Sequence, residues 1–175
     1  VKVYPTPAAI RIIKNKILQK EFYQKNEIPT SEFHITQHQS DVLQHIAFLP
    51  AVHKLGEGGY DGKGVQVINS EKEIELGFNA PAVLEKKVAI AKEIALIVGM
   101  NAEGKTIIYP TAEMIFDPVY NLLDYQLSPA KLEEKQLWKE MMECIDKLGM
   151  RDPITDSAVA RWSAVNKLVT KILIK

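Results

Sequence analysis

Lys54 stands near the end of an apolar run at residues 51–55, directly before a glycine-dense stretch with Gly56, Gly58, Gly59, Gly62 and Gly64, and a second apolar run begins at Val65. Glycines let backbone amides turn toward an anion with no Cβ in the way. A lysine adds a compact positive charge suited to phosphate. The pattern predicts a strand, a phosphate-covering loop and a second strand. A Walker A loop requires Gly-x-x-x-x-Gly-Lys-Ser/Thr, whereas Gly62-Lys63 is followed by Gly64 and Glu57 occupies the place of the first glycine. A dinucleotide fingerprint requires Gly-x-Gly-x-x-Gly, whereas Gly56-Glu57-Gly58 runs into Asp61. A plain hairpin connection is the bland alternative, and the glycine density and the preceding lysine weigh against it.

Other reactive side chains read more simply. His34 and His38 are four apart, but Ile35-Thr36 reads as strand and breaks helical spacing, so His34, His38, His45 and His53 are expected to be surface or packing residues rather than metal ligands. Cys144, near Leu137, Met141 and Leu148, reads as a small core residue, and Trp138 and Trp162 as packing residues. Glu133, Glu134, Glu140 and Glu143 alternate with lysines as a solvated helix face. Taken singly, Glu85-Lys86-Lys87 is a polar hinge and Glu93 an exposed strand end.

The elements that must hold Lys54 and the glycine loop follow from periodicity and punctuation. Residues 7–26 predict one helix, with Pro7 in its first turn and Ile10, Ile13, Ile17 and Phe22 as a rough apolar stripe. A short strand is expected at 32–36, a helix capped by Ser40-Asp41 to about Phe48, strands at 51–55 and 64–69, and a short helix after Ser70. Strands follow at 82–86, within 92–101, at 106–109 and at 112–116, with a hairpin turn at 101–104 and a break at Asp117-Pro118. A long helix is predicted from Ser128-Pro129 to Leu148 and a last one from about Thr155. The fold class is α+β with a mainly antiparallel sheet.

The 175 residues are 46% hydrophobic, enough for one domain with a real core. Twenty-two basic residues balance 22 acidic ones, which argues against a nucleic-acid partner. No apolar run reaches the length of a membrane span, and the N-terminus has no secretory pattern. The single cysteine excludes an intramolecular disulfide framework and suits a reducing cytoplasm. Val1 in place of an initiator Met points to processing or to excision from a longer chain.

Lys54 followed by Gly58-Gly59-Tyr60-Asp61-Gly62-Lys63-Gly64 resembles the lid of the ATP-grasp enzymes, and among them the 5-(carboxyamino)imidazole ribonucleotide synthetases of purine biosynthesis. Gln19-Lys20, Ile28-Pro29-Thr30, Val52-His53-Lys54, Val83-Leu84-Glu85, Glu93, Tyr109-Pro110 with Glu113, and Pro129-Ala130 match further segments of that family. The resemblance implies an ATP-grasp fold with a glycine-rich lid between two strands. It implies ATP and Mg2+ as cofactors, and ATP-driven carboxylation of aminoimidazole ribonucleotide by bicarbonate through carboxyphosphate. It also implies a cytoplasmic setting and a homodimer as the assembly to test. Lys54 would hold the α- and β-phosphates, and the amides of Gly59, Tyr60, Asp61, Gly62, Lys63, Gly64 and Val65 would close over the others. Glu85 with the backbone of Lys86, Lys87 and Val88 would frame the adenine. Glu93 would take the ribose hydroxyls, and Lys16 would lie near the nucleotide. Tyr60, Asp61 and Lys63 would reach the acceptor, and with Lys54 they form the expected catalytic set.

The resemblance runs to about Met150, giving residues 1–150 as a partial ATP-grasp domain and 151–175 as a helical segment that departs from the family. The family's N-terminal domain and its C-terminal metal-binding segment have no counterpart here. The metal ligands are therefore unassigned, and nothing in the spacing of Asp152 and Asp156 makes them substitutes. Two alternatives stay open: another ATP-grasp ligase or carboxylase with a different acceptor, and a non-catalytic nucleotide-binding or assembly module whose apolar C-terminal helix packs on a partner.

Overall fold

In the computed structural model, residues 7–59, 63–95, 98–100, 106–119 and 122–131 are described. The last predicted helix, the long one beyond Lys131, Cys144, both tryptophans, the turn at 101–104, Tyr60, Asp61, Gly62, Asp152 and Asp156 lie outside them. Residues 128–131, where the long helix was expected to open, are not helical: the Ala130 amide bonds to Thr111 O instead.

The single helix expected at 7–26 is two. Helix α1 is Pro7–Lys14 and helix α2 is Lys16–Lys25, with Asn15 extended between them (φ −113°, ψ 114°). Its side-chain oxygen accepts from the amides of Ile17 (2.9 Å) and Leu18 (3.0 Å). Asparagine is a strong N-cap because this local bond competes with continuing the helix, and here it wins. Helix α2 ends in a Schellman motif: the amide of Ile28 donates to Tyr23 O (2.8 Å) and that of Glu27 to Gln24 O (3.2 Å). Glu27 takes the left-handed position (φ 52°) that glycine usually fills. Ile28 and Tyr23 are both buried beside it.

Strands β1 (Phe33–Thr36), β2 (Ala51–Leu55), β3 (Val65–Ile68) and β4 (Ala82–Lys86) form one antiparallel sheet in the order β1-β4-β2-β3. The register sets Lys54 opposite Val83 and Val65, and Val52 opposite Glu85 and Val67. Side chains alternate along a strand, so Lys54 and Glu85 share one face. Ala51, His53, Leu84 and Ile68 share the other.

That other face carries the core, in which Val42, Ala51, Ile68, Ile74 and Leu84 cluster with Phe48 and Leu49 against them. Two 3-10 segments cover it, Gln39–Phe48 (kinked at His45) and Glu71–Leu76, where helices were expected. Asp41 accepts from the amides of Gln37 and His38 at the start of the first. Ser70 makes no side-chain cap on the second, and Glu73 instead accepts from the Asn69 amide. His53 is fully buried in this layer. The Phe78 amide donates to its Nδ1 (3.2 Å), which puts the ring proton on Nε2, 2.9 Å from the Thr36 hydroxyl.

Beyond β4 the chain forms β5 (Glu93–Ala95), β6 (Val98–Met100), β7 (Thr106–Ile108), β8 (Ala112–Phe116) and β9 (Leu123–Leu127). β6 and β7 pair antiparallel, and β5, β8 and β9 make a three-stranded antiparallel sheet. Strand β9 was not expected from the sequence. The turn before it matches the predicted break, with the Val119 amide bonded to Asp117 Oδ1 (2.8 Å). Lys92 and Glu113 pair across this sheet at 2.9 Å.

Candidate functional site

Among the described residues the face of the first sheet that carries Lys54 is only partly covered, with Val83 buried on it. Helix α2 lies along one side of it and the linker from β4 to β5 along the other, leaving a cleft of about 500 Å3. Val52, Val65 and Val67 give it an apolar floor, while Lys16, Lys20 and Lys54 face Glu85 and Glu93 around it. Lys16 and Lys20 are four apart on α2 and so project from one side of the helix. The Asn15 cap fixes that side, because it starts a new helix there. The Lys16 amide donates to Gly56 O (2.8 Å), and Asn15 Nδ2 to Glu57 Oε1 (3.1 Å). The first turn of α2 is thereby pinned to the base of the glycine loop.

Glu85 is the electrostatic hub. Its Oε2 lies 2.8 Å from Lys54 Nζ and its Oε1 3.2 Å from Lys20 Nζ. Lys20 also donates to the Thr30 hydroxyl (2.6 Å) and lies over the Phe33 ring. Burial works against ionising Glu85, but Lys54 and then Lys20 outweigh it and hold its pKa below the usual carboxylate range. Burial lowers the pKa of Lys20, with Glu85 opposing. Burial also lowers that of Lys16, and the neighbouring Lys54 adds to the shift. Burial raises the pKa of Glu93, with Lys54 opposing. Three partly desolvated lysines around two carboxylates leave an excess of positive charge over an apolar floor. That arrangement suits a ligand with an apolar ring system and several negative charges.

The glycine loop has a closed neck. The Leu55 amide donates to Gly64 O (3.0 Å), and a Cβ on Gly64 would stand 2.4 Å from the Gly59 Cα. A Cβ on Gly59 would lie 3.4 Å from Lys16 Nζ, so the loop's base adjoins the lysines. Lys63 is exposed in the turn that leads into β3.

Of the residues expected to bind, Lys16, Lys54, Val65, Glu85, Lys86, Lys87, Val88 and Glu93 line one cleft. Gly59 and Gly64 meet at the neck of the loop, and Lys63 is not among the residues lining the cleft. The linker is more constrained than expected. The Lys86 amide is already bonded to Glu32 O (2.9 Å) and that of Lys87 to Pro50 O (3.1 Å), so Val88 carries the first amide beyond the sheet. Lys86 Nζ turns to the far face and donates to Phe48 O. The Glu85 carboxylate serves two lysines.

Sequence reasoning assigned no role to Tyr23 or Thr30, and it noted Lys20 only as part of a motif. The four-residue spacing from Lys16 was the available signal for Lys20. Tyr23 is 3% exposed and its hydroxyl has no hydrogen-bond partner among the described residues. Burial, reinforced by Glu85, raises its pKa well above the usual phenol value.

Residues 21–151 match the model of the ATP-grasp domain. The chain is 32% identical over 123 residues to N5-carboxyaminoimidazole ribonucleotide synthase of Pseudomonas aeruginosa, an alignment that covers 67% of this chain and 34% of that enzyme. The crystal structure of N5-carboxyaminoimidazole ribonucleotide synthetase from Thermotoga maritima superposes with a TM-score of 0.66 at 31% identity, over 84% of this chain and 38% of that one. The synthase from Aspergillus clavatus, in complex with ADP and 5-aminoimidazole ribonucleotide, superposes with a TM-score of 0.68 at 25% identity, over 84% and 39% of the two chains. The chain thus spans about a third of the length of the Pseudomonas relative it matches. With the matched residues taking in all three sheets and Lys54, Glu85 and Glu93 of the cleft, the chain belongs to the ATP-grasp family.

Proposed function

We propose that this chain binds ATP in the lysine cleft and forms the nucleotide-binding part of a ligase that carboxylates aminoimidazole ribonucleotide with bicarbonate in purine biosynthesis. One observation carries the reading: Lys16, Lys20 and Lys54 converge with Glu85 and Glu93 on an apolar cleft beside a glycine loop. The names of the relatives supply the acceptor.

The residues present fit the nucleotide. Val52, Val65 and Val67 offer the base an apolar surface, and the Val88 amide is assigned to it as the linker donor. Lys54 and Lys16 neutralise phosphate charge, and Glu93 accepts from the ribose hydroxyls. The glycine amides at the neck of the loop close over the terminal phosphates. Bound ATP supplies the γ-phosphoryl group, which bicarbonate takes with loss of ADP. The acceptor amine then displaces phosphate from carboxyphosphate. The protein's part is positioning and charge neutralisation, since phosphoryl transfer asks for little covalent chemistry from side chains. Tyr60, Asp61 and Lys63 are assigned to the acceptor.

The reading also calls for Mg2+ and a cytoplasmic setting. Among the described residues no group of three His, Cys, Asp or Glu side chains stands together to hold a metal by itself, whereas a nucleotide-borne Mg2+ takes only one or two carboxylates beside the phosphates.

The test is calorimetric titration with ATP, with and without Mg2+, followed by phosphate release with and without aminoimidazole ribonucleotide and bicarbonate. Saturable ATP binding is the expected result, with no phosphate release by this chain alone and acceptor-dependent release once a partner chain supplies the rest of the site. Absence of ATP binding would refute the nucleotide site, and release indifferent to the acceptor would refute the substrate.

A further inference from the structure

The two lysines on Glu85 are held very differently. Lys20 is fastened from three sides, by Glu85 Oε1 (3.2 Å), the Thr30 hydroxyl (2.6 Å) and the Phe33 ring, and its side chain is 8% exposed. Lys54 makes the shorter contact, 2.8 Å to Glu85 Oε2, yet its side chain is 28% exposed. It sits one residue from the end of β2, where the chain enters the glycine loop. One lysine is a fixture and the other is able to leave. A phosphate arriving at Lys54 meets the Glu85 carboxylate within contact distance of the same ammonium group, and the two anions repel. Lys20 stays behind to compensate Glu85 when Lys54 moves.

We propose that Glu85 is a built-in phosphate surrogate: it occupies Lys54 in the nucleotide-free chain and yields it to a phosphate oxygen on binding, while Lys20 retains the carboxylate. The proposal rests on the nucleotide reading of the cleft and assigns Glu85 a role in gating phosphate affinity, in place of contact with the base. Its consequence is selective. The carboxylate opposes phosphate-bearing ligands and is indifferent to a nucleoside without phosphates.

The experiment is calorimetric titration of the parent chain and of Glu85→Gln with ATP, pyrophosphate and adenosine. The amide keeps the shape and removes the charge. The exchange predicts about tenfold tighter binding of ATP and of pyrophosphate to Glu85→Gln, with adenosine unchanged. Weaker binding of ATP and adenosine together would make Glu85 a base or ribose contact and overturn the proposal. Weaker binding of ATP alone would mean that Lys54 needs Glu85 for its placement, which also overturns it. Unchanged binding of all three ligands would show that no exchange occurs. If Glu85→Gln does not fold by circular dichroism, Glu85→Asp replaces it. One methylene shorter, its carboxylate is drawn back from both lysines and competes less for Lys54, so the same selectivity is expected with a smaller gain. A parent chain that binds pyrophosphate but not ATP would refute the nucleotide reading and leave the exchange standing.

Discussion

Replacing Lys54 by Met keeps most of the aliphatic stem and deletes the charge. In the free chain Glu85 loses the 2.8 Å partner but keeps Lys20 at 3.2 Å. The carboxylate is therefore not orphaned, and the cost to folding should stay near the scale of one charged hydrogen bond, about 1.5 kcal/mol, rather than the roughly 3–5 kcal/mol of a buried pair broken outright. Binding is affected differently. A charged hydrogen bond to phosphate is worth about 1.5–3 kcal/mol, or roughly 10- to 150-fold in affinity. Lys54 must give up Glu85 to make that contact, which places the net loss at the lower end. Calorimetric titration should thus show ATP binding to Lys54→Met about 10- to 30-fold weaker than to the parent, with adenosine unaffected. Equal losses for ATP and adenosine, or no loss for ATP, would refute the assignment of Lys54 to the phosphates.

Gly64→Ala drives a Cβ against the Gly59 backbone, which has no rotamer to yield with. The neck should open at a cost of about 1–3 kcal/mol, and faster hydrogen exchange at the Leu55 amide, which bonds to Gly64 O, reports it. Glu27→Gly relieves a left-handed non-glycine residue and should raise the unfolding free energy in urea by about 0.5–1 kcal/mol; a decrease would argue against the Schellman motif. Burial pushes the His53 pKa down, so the folded chain disfavours the proton that the unfolded chain takes up near pH 6.5. This contribution to stability is complete above about pH 6.5 and is lost as pH falls from there toward the folded pKa. The urea midpoint should drop over that interval, and an NMR titration in which His53 protonates at its usual value would contradict the buried assignment.

The hairpin around the glycine loop and the sheet that holds it were legible because strand alternation and glycine punctuation are local signals. So were Lys54, Glu85 and Glu93, through the motifs that carry them. Asn15 was hidden because an asparagine inside an amphipathic pattern signals a cap only when tertiary contacts, here with Gly56 and Glu57, favour the break. Strand β9 was missed although Leu123-Asp124-Tyr125-Gln126-Leu127 alternates with period two. The neighbouring Ser128-Pro129 drew attention to a helix start instead. The two-lysine clamp on Glu85 was out of reach, because it joins α2 to β2 and β4 across long stretches of chain. Local propensity says nothing about which carboxylate a lysine will meet.

On the proposed function, phosphate, ribose and base share the cleft between α2, the first sheet and the linker to β5. Chemical-shift mapping of the isotope-labelled chain with ATP tests it most directly. Saturable shifts are expected at Lys16, Lys20, Lys54, Glu85, Val88 and Glu93 and at the neck glycines Gly59 and Gly64, with the opposite core face around Val42 and Ile74 unmoved. Shifts confined to another surface, or none at millimolar ATP, would contradict it.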